Sequence, residues 1–297
     1  MIEIHTRRIR AITGNSTGSV KVTPTMGVRC HGVGLNIISG TQSASYDSVA
    51  EIAAALTEIR VKHGTSVKWR LNGTQLRDWL LFHGANQDMD LASTYGIQVY
   101  LPFAPDWLIA SVADKLAYNP RLAVGELTIE IDASVNITVT AFERVSPDLD
   151  ADSLGILTLE VIRPVAGGLD FYAEQELKKK GRLLLASVYK ATGTGTYAVE
   201  TASLLLGKDN VAAYDGITDD ETADLSERAG FKPTAAGFSL TGRTADIFDM
   251  NFCRGDALAH GIDLKGWGTA KFRFQRAASE FVGVVPVLLE RLEGYND

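Results

Sequence analysis

The side chains able to do chemistry are few, and the most suggestive set is acidic. Asp148-x-Asp150-x-Asp152 has the opening spacing of a calcium-binding EF-hand loop. The sixth position is Ser153 where the sharp turn needs Gly, and the twelfth is Leu159 where a bidentate Glu belongs. The stretch is therefore no EF-hand. Two readings stay open: a looser three-carboxylate calcium site, and a solvated acidic turn between two strands. Gly193-Thr194-Gly195-Thr196-Tyr197-Ala198 satisfies the dinucleotide pattern G-x-G-x-x-[GA]. That site needs a strand running straight into the glycines and a helix starting on them. Lys190-Ala191-Thr192 intervenes, and the following Tyr197, Val199 and Thr201 alternate like a strand, so a Thr/Gly hairpin loop is expected and no cofactor.

The five histidines (5, 31, 63, 83 and 260) are scattered, with no H-x-H pair, no H-E-x-x-H and no G-x-S-x-G. No catalytic constellation emerges, and no enzyme is expected. Arg7, Arg8 and Arg10 stand against one acid, Glu3, in a chain otherwise acidic. The segment reads as a solvated tail, as a strand alternating Ile2 and Ile4 that docks a neighbour, or as a basic arm touching an anionic surface. Lys178-Lys179-Lys180 suits the negative end of a helix. Trp69, Trp79, Trp107 and Trp267 read as core or interface packing.

The totals narrow the class. The chain of 297 residues has room for two domains, and 45% hydrophobic with 22% charged residues is ordinary for a folded protein. A net charge of −7 argues against a general nucleic-acid binder, which must neutralise phosphates. Cys30 and Cys253 lack metal spacing and read as small buried hydrophobes in a reducing compartment, with one bridge as the alternative. No apolar h-region opens the sequence and no run of 18 apolar residues occurs, so neither a secretion signal nor a membrane span is expected.

These residues sit on elements that the chain writes twice. Ser66 to Gly84 reads as a strand with Val67, Trp69 and Leu71 inward, an Asn72-Gly73 turn, and a helix capped by Thr74 with Leu76, Trp79 and Leu80 on one face. Val211 to Gly230 repeats the plan, with Asp215-Gly216 at the turn and Thr218 as cap. The same offset carries Gly125–Ile131 onto Gly268–Phe274. Similar offsets carry Phe142–Val145 onto Leu289–Leu292 and Pro105–Leu108 onto Gly255–Leu258. Four landmarks in one order indicate a duplicated domain. Period-2 alternation marks roughly eight short strands per half, as in Val135, Ile137, Val139 and Ala141. A helix over 171–180, capped by Asp170 and stopped by Gly181, is expected to open the second half. The fold expected is all-β: two tandem eight-stranded jelly rolls with short helices in the connections, spanning 1–167 (with the basic arm) and 168–297.

In this layout the chain resembles the double jelly-roll major capsid proteins of tailless, membrane-containing icosahedral bacteriophages of the corticovirus, tectivirus and finnlakevirus type. Gly14-Asn15-Ser16 with Ser19–Pro24 is similar to that family's first strand, and Val67-x-x-x-Leu71-Asn72-Gly73-Thr74 with Trp79-Leu80 to its strand, turn and helix. The resemblance implies a virion protein made in the host cytoplasm, without cofactor or enzymatic activity. It also implies homotrimers of near-hexagonal outline that tile a shell over an internal membrane. The implied partners are neighbouring capsomers, vertex and minor membrane proteins and lipid headgroups, with no direct nucleic-acid binding. Arg7, Arg8 and Arg10 would then face the membrane. A tandem-sandwich carbohydrate- or receptor-binding protein is the alternative, and exposed aromatics at loop tips would favour it. A bicupin-like enzyme is a third reading, which the missing histidine pairs count against.

Overall fold

Alternating apolar residues build strands almost throughout. The computed structural model describes residues 5–9, 20–25, 27–39, 49–85, 89–93, 96–108, 110–123, 125–147, 149, 152–166, 172–189, 191–192, 195–196, 199–217, 247–253, 261–276, 283–284 and 286–295. Two units divide the chain, Met1–Leu159 with Gly294–Asn296, and Glu160–Glu293. The first holds β1 (His5–Ile9), β2 (Val20–Val22), β3 (Arg29–Ser39), α1 (Val49–Ala55), β4 (Leu56–His63), β5 (Ser66–Leu71), α2 (Gly73–Phe82), β6 (Met89–Ser93), β7 (Gly96–Pro102), α3 (Ala110–Leu116), β8 (Leu127–Ala133) and β9 (Ile137–Ser146). The division falls inside β10 (Ile156–Ile162).

The second unit continues with β11 (Val165–Ala166), β12 (Tyr172–Glu176), β13 (Arg182–Tyr189), β14 (Ala191–Thr192), β15 (Gly195–Thr196), β16 (Val199–Leu206), β17 (Val211–Ile217), β18 (Ile247–Asn251), β19 (Ile262–Asp263), β20 (Ala270–Arg276), β21 (Gly283–Val284) and β22 (Val287–Glu293).

The pairing order identifies the fold. In the first unit β1-β9-β3-β7 run side by side, with β6 at the edge, and β2-β8-β4-β5 form the other sheet. In the second unit the orders are β10-β22-β13-β18 and β12-β20-β16-β17. If the principal strands of each unit are ranked along the chain, both units read first-eighth-third-sixth and second-seventh-fourth-fifth. That is jelly-roll connectivity, twice, as expected from the repeat. Two of the four landmark pairs fall on equivalent strands, whereas Asn72 caps α2 and its counterpart Asp215 lies inside β17. Gly125 and Gly268 precede the seventh strands, β8 and β20. Phe142–Val145 and Leu289–Leu292 lie in the eighth, β9 and β22.

Each unit has its own core. In the first, Val33, Leu35, Ile37, Ile97, Val99 and Val139 from one sheet and Ile59, Val61, Trp69, Leu71, Ile129 and Ile131 from the other are buried. In the second, Leu183, Val188, Leu204, Phe272, Phe274, Val287 and Leu289 belong to one buried cluster. Burial of one such side chain contributes roughly 1.5–3 kcal/mol, so these alternating faces decide the register of every strand.

Several local expectations are corrected. The cap of α2 is Asn72, not Thr74. Asn72 is extended (φ −93°, ψ 173°), and its side chain accepts from Gln75 N at 2.8 Å, while Gln75 Oε1 accepts from Asn72 N at 2.9 Å. This reciprocal box recruits the Asn-Gly pair into a helix start instead of a turn. Val67 is 44% exposed while Lys68 is buried, because the ladder pairs Val61 with Trp69 and Lys62 with Val67, which bulges Lys68 out of register.

The helix expected over 171–180 is the strand β12. Cross-strand partners outweigh its helical propensity. Tyr172 lies opposite Gln275 and Glu174 opposite Arg273, and the Glu174 carboxylate meets Arg273 Nε at 2.6 Å. Lys178 pairs with Glu160 and caps nothing. Asp215-Gly216 lies within β17, and the turn before that strand is formed by 207–210, with Asn210 at φ 52°. Ser19–Pro24 contributes the second strand of its unit, since β1 precedes it. The expected cap Thr218 and its helix, and the landmark Gly255–Leu258, lie outside the described residues. The Thr/Gly hairpin is present, with Ala191 opposite Thr196 and Thr192 opposite Gly195.

Candidate functional site

Of the acidic triplet, Asp148 and Asp150 lie outside the described residues. Asp152 is 88% exposed at its side chain, 3.8 Å from Lys115 Nζ. The segment is held from both sides: Asn119 Nδ2 donates to Leu149 O at 3.0 Å, and Ser153 Oγ to Lys115 O at 3.1 Å. Among the described residues no group of three His, Cys, Asp or Glu side chains is disposed to hold a metal. Arg7 and Arg8 belong to β1, where Arg7 lies opposite Glu143 and Arg8 opposite Phe142. They are carried on a strand closing the first sheet, not on a free tail. Arg10 lies outside the described residues.

One catalytic-looking arrangement arises that no sequence spacing could reveal. His31 Nε2 is 2.9 Å from Ser146 Oγ, and His31 Nδ1 is 3.7 Å from Asp114 Oδ1. β3, α3 and β9 bring together, from His31 and Ser146 that lie 115 positions apart with Asp114 between them in the chain, the order of a Ser-His-Asp triad. Ser146 is 0% exposed and His31 3%, so Oγ cannot meet a substrate carbonyl. Burial lowers the His31 pKa, with Asp114 opposing, and keeps the ring neutral at neutral pH. Beside it Arg29, fully buried, donates from Nη2 to Asp114 O at 2.6 Å. The group clamps α3 to the sheet, which is a structural task.

A fully buried carboxylate works the same way. Glu143 occupies an inward position of β9, in line with Ile137, Val139 and Ala141, and accepts from Thr25 N at 2.7 Å and from Thr25 Oγ1. It ties the β2–β3 connection to the eighth strand. Cys30, buried, and Cys253, half-buried, are both free thiols with pKa values raised by burial, that of Cys253 to about 12. Neither is a nucleophile at neutral pH.

The surfaces facing out of the sheets are the remaining functional ground. On β5-β4-β8, Arg60 reaches Glu58 (3.1 Å), Glu130 (3.2 Å) and Asp132 (2.8 Å). Lys62 reaches Glu130 (2.6 Å), and Arg70 reaches Glu58 (2.7 Å). The ladder leaves little net charge on that face. Trp69 and Trp79 are core, as expected, but Trp267 is 40% exposed on a loop between β19 and β20.

No protein-family model and no curated protein matches the sequence. Solved structures do match. The major capsid protein of bacteriophage PM2 aligns at TM-score 0.71 and 9% identity, over 98% of this chain and 97% of that one. The structure of Sulfolobus turreted icosahedral virus aligns at 0.66 and 10%, over 99% and 92%. The Faustovirus major capsid protein aligns at 0.58 and 6%, over 98% and 90%. At such identities the likeness is one of fold. This chain has the double jelly-roll fold of those capsid proteins along essentially its whole length.

Proposed function

We propose that the chain is a major capsid protein whose three copies form a near-hexagonal capsomer that tiles an icosahedral shell over an internal membrane. The observation that carries the reading is the full-length match. Both units, with the same strand connectivity, align with capsid proteins that have almost no chain left over on either side. Geometry supplies the reason for the duplication. A three-fold ring of two-barrel subunits presents six similar barrels, an outline that packs a surface without gaps.

The chemistry is consistent with assembly in place of catalysis: the one Ser-His-Asp arrangement among the described residues is sealed from substrate. Its partners on this reading are neighbouring capsomers, vertex and minor membrane proteins, and lipid headgroups facing Arg7, Arg8 and Arg10. Its place is the virion. The test is mass in solution. A stable trimer of about 96 kDa, three copies of the 32.0 kDa chain, is expected, with contacts above the roughly 1,000 Å² that marks a biological interface. A monomer at high concentration would overturn the reading.

A further inference from the structure

The outward face of the β9-β3-β7 strands carries a pocket that neither the fold nor the assembly reading requires. Gly34 on β3 lies opposite Tyr100 on β7 and opposite Phe142 on β9, so an aromatic, a glycine and an aromatic stand in one row across three strands. A Cβ on Gly34 would fall 2.0 Å from Phe142 Cζ, and one on Gly32 would fall 2.2 Å from Tyr100 Oη. The missing side chains let both rings lie down on the β3 backbone. The result is a pocket of about 270 Å³ with Gln98, Asp106 and Arg144 on its walls beside the two rings.

Its polar groups meet one another: Arg144 is hydrogen-bonded to the Tyr100 hydroxyl. The Arg144 guanidinium lies 5.9 Å from the Tyr100 ring centroid, and its Nη1 is a loose 3.6 Å from Asp106 Oδ2. Asp106 is largely exposed, as is Gln98. Burial raises the Tyr100 pKa, against the lowering effect of Arg144, so its hydroxyl stays protonated and able to donate. Phe142 remains 39% exposed on the outward sheet face.

We propose that this pocket binds a neutral pyranose, as the terminal unit of a glycan. The exposed Phe142 ring offers a flat apolar surface to the sugar's C–H face, beside the Tyr100 ring that Arg144 overlies. Arg144, Asp106 and Gln98 supply both donors and acceptors for a ring of hydroxyls, which no purely apolar or purely cationic pocket could satisfy. The acid beside the arginine cancels its charge, which favours a neutral sugar over a sialic acid or a phosphate. The volume suits one sugar ring. A single shallow pocket gives weak binding, and repetition over many copies would convert weak contacts into useful avidity. Binding at the single pocket does not depend on the capsid reading; only the avidity does.

Titration of the full chain with methyl glucoside, methyl galactoside, methyl mannoside and N-acetylneuraminate, followed by saturation-transfer NMR, tests it. At least one neutral glycoside is expected to bind, more tightly than the acidic sugar. Phe142→Ala should weaken that binding about tenfold or more, the scale of losing an aromatic contact. Gly34→Ala should do the same by evicting the ring while leaving every polar group in place, and Arg144→Gln should weaken it as well. Circular dichroism and the melting temperature check that each variant folds, and the exposed Phe142 keeps the test valid if Gly34→Ala does not. Binding unchanged in Phe142→Ala, or no glycoside bound by the wild type, overturns the proposal. Phe142→Ala that dissolves a wild-type trimer without affecting sugar also overturns it, and makes the pocket a contact between copies. Absence of a trimer in the wild type would count against the capsid reading alone.

Discussion

His63 shows how burial sets the pH response of a single residue. Its ring is buried against Tyr118, with centroids 4.5 Å apart, and against Tyr295 at 6.3 Å. Desolvation, with Lys68 adding to it, pushes its pKa down to about 3 from the ordinary 6.5. The folded state therefore holds a neutral ring, while the unfolded chain takes up a proton below about 6.5. Above that pH the residue adds no pH dependence. Between about 6.5 and 3, stability falls with pH by up to about 1.4 kcal/mol per unit from this residue. Urea midpoints at pH 7 and pH 5 should show a smaller acid loss in His63→Gln than in the wild type. An identical loss in both would mean that other groups carry the acid response. Nothing in the sequence around His63 announces this, because Tyr118 and Tyr295 reach it only through the fold. The Ser146, His31 and Asp114 arrangement was illegible for the same reason.

Among the elements, α2 with its neighbouring strand β5 is the anchor of the first unit. Trp69 stacks edge-on against Trp79 and Phe103, both at 5.5 Å, and its Nε1 donates to Leu157 O at 2.8 Å. Trp69→Ala should cost about 3–5 kcal/mol, read from the denaturation midpoint, since it leaves a large cavity and an unpaired carbonyl. Trp69→Phe should recover part of that. The strands were readable from period-2 alternation wherever one face is buried, as along Ile137, Val139 and Ala141. They were misread where a long-range partner decided: Glu174, Gln175 and Glu176 favour a helix until β20 supplies Arg273 and Lys271 opposite. β1 was misplaced, because a strand was weighed only on the alternation of Ile2 and Ile4, while the arginines that β1 carries read as a tail or an arm. On the capsid reading, Arg7, Arg8 and Arg10 changed together to Gln should weaken binding of the trimer to anionic vesicles at low salt. Each basic residue near such a surface contributes on the order of 1 kcal/mol. Unchanged binding would discard the membrane-facing role.

At the scale of the whole molecule, the duplication was legible in four ordered landmarks, of which the strand connectivity bears out two, those of the seventh and eighth strands. What the sequence could not convey is that the chain past β22 returns to the first unit. There Tyr295 Oη accepts from Asn119 N at 2.7 Å and donates to Ala117 O at 3.2 Å, beside His63 and Tyr118. Tyr295→Ala should remove the hydrogen-exchange protection of the Asn119 amide while leaving the β20 amides of the second unit unchanged. Equal loss in both would mean that the tyrosine supports the fold at large. On a ribosome this return sets an order of events. Residues 5–159 leave first, yet their unit stays one side chain short until the 134 residues from Glu160 to Glu293 have been made. A subunit interrupted anywhere in its second half would carry an unfilled seat beside His63. The first barrel is thus finished by residues that follow the whole of the second, which makes the integrity of one barrel a report on the synthesis of the other.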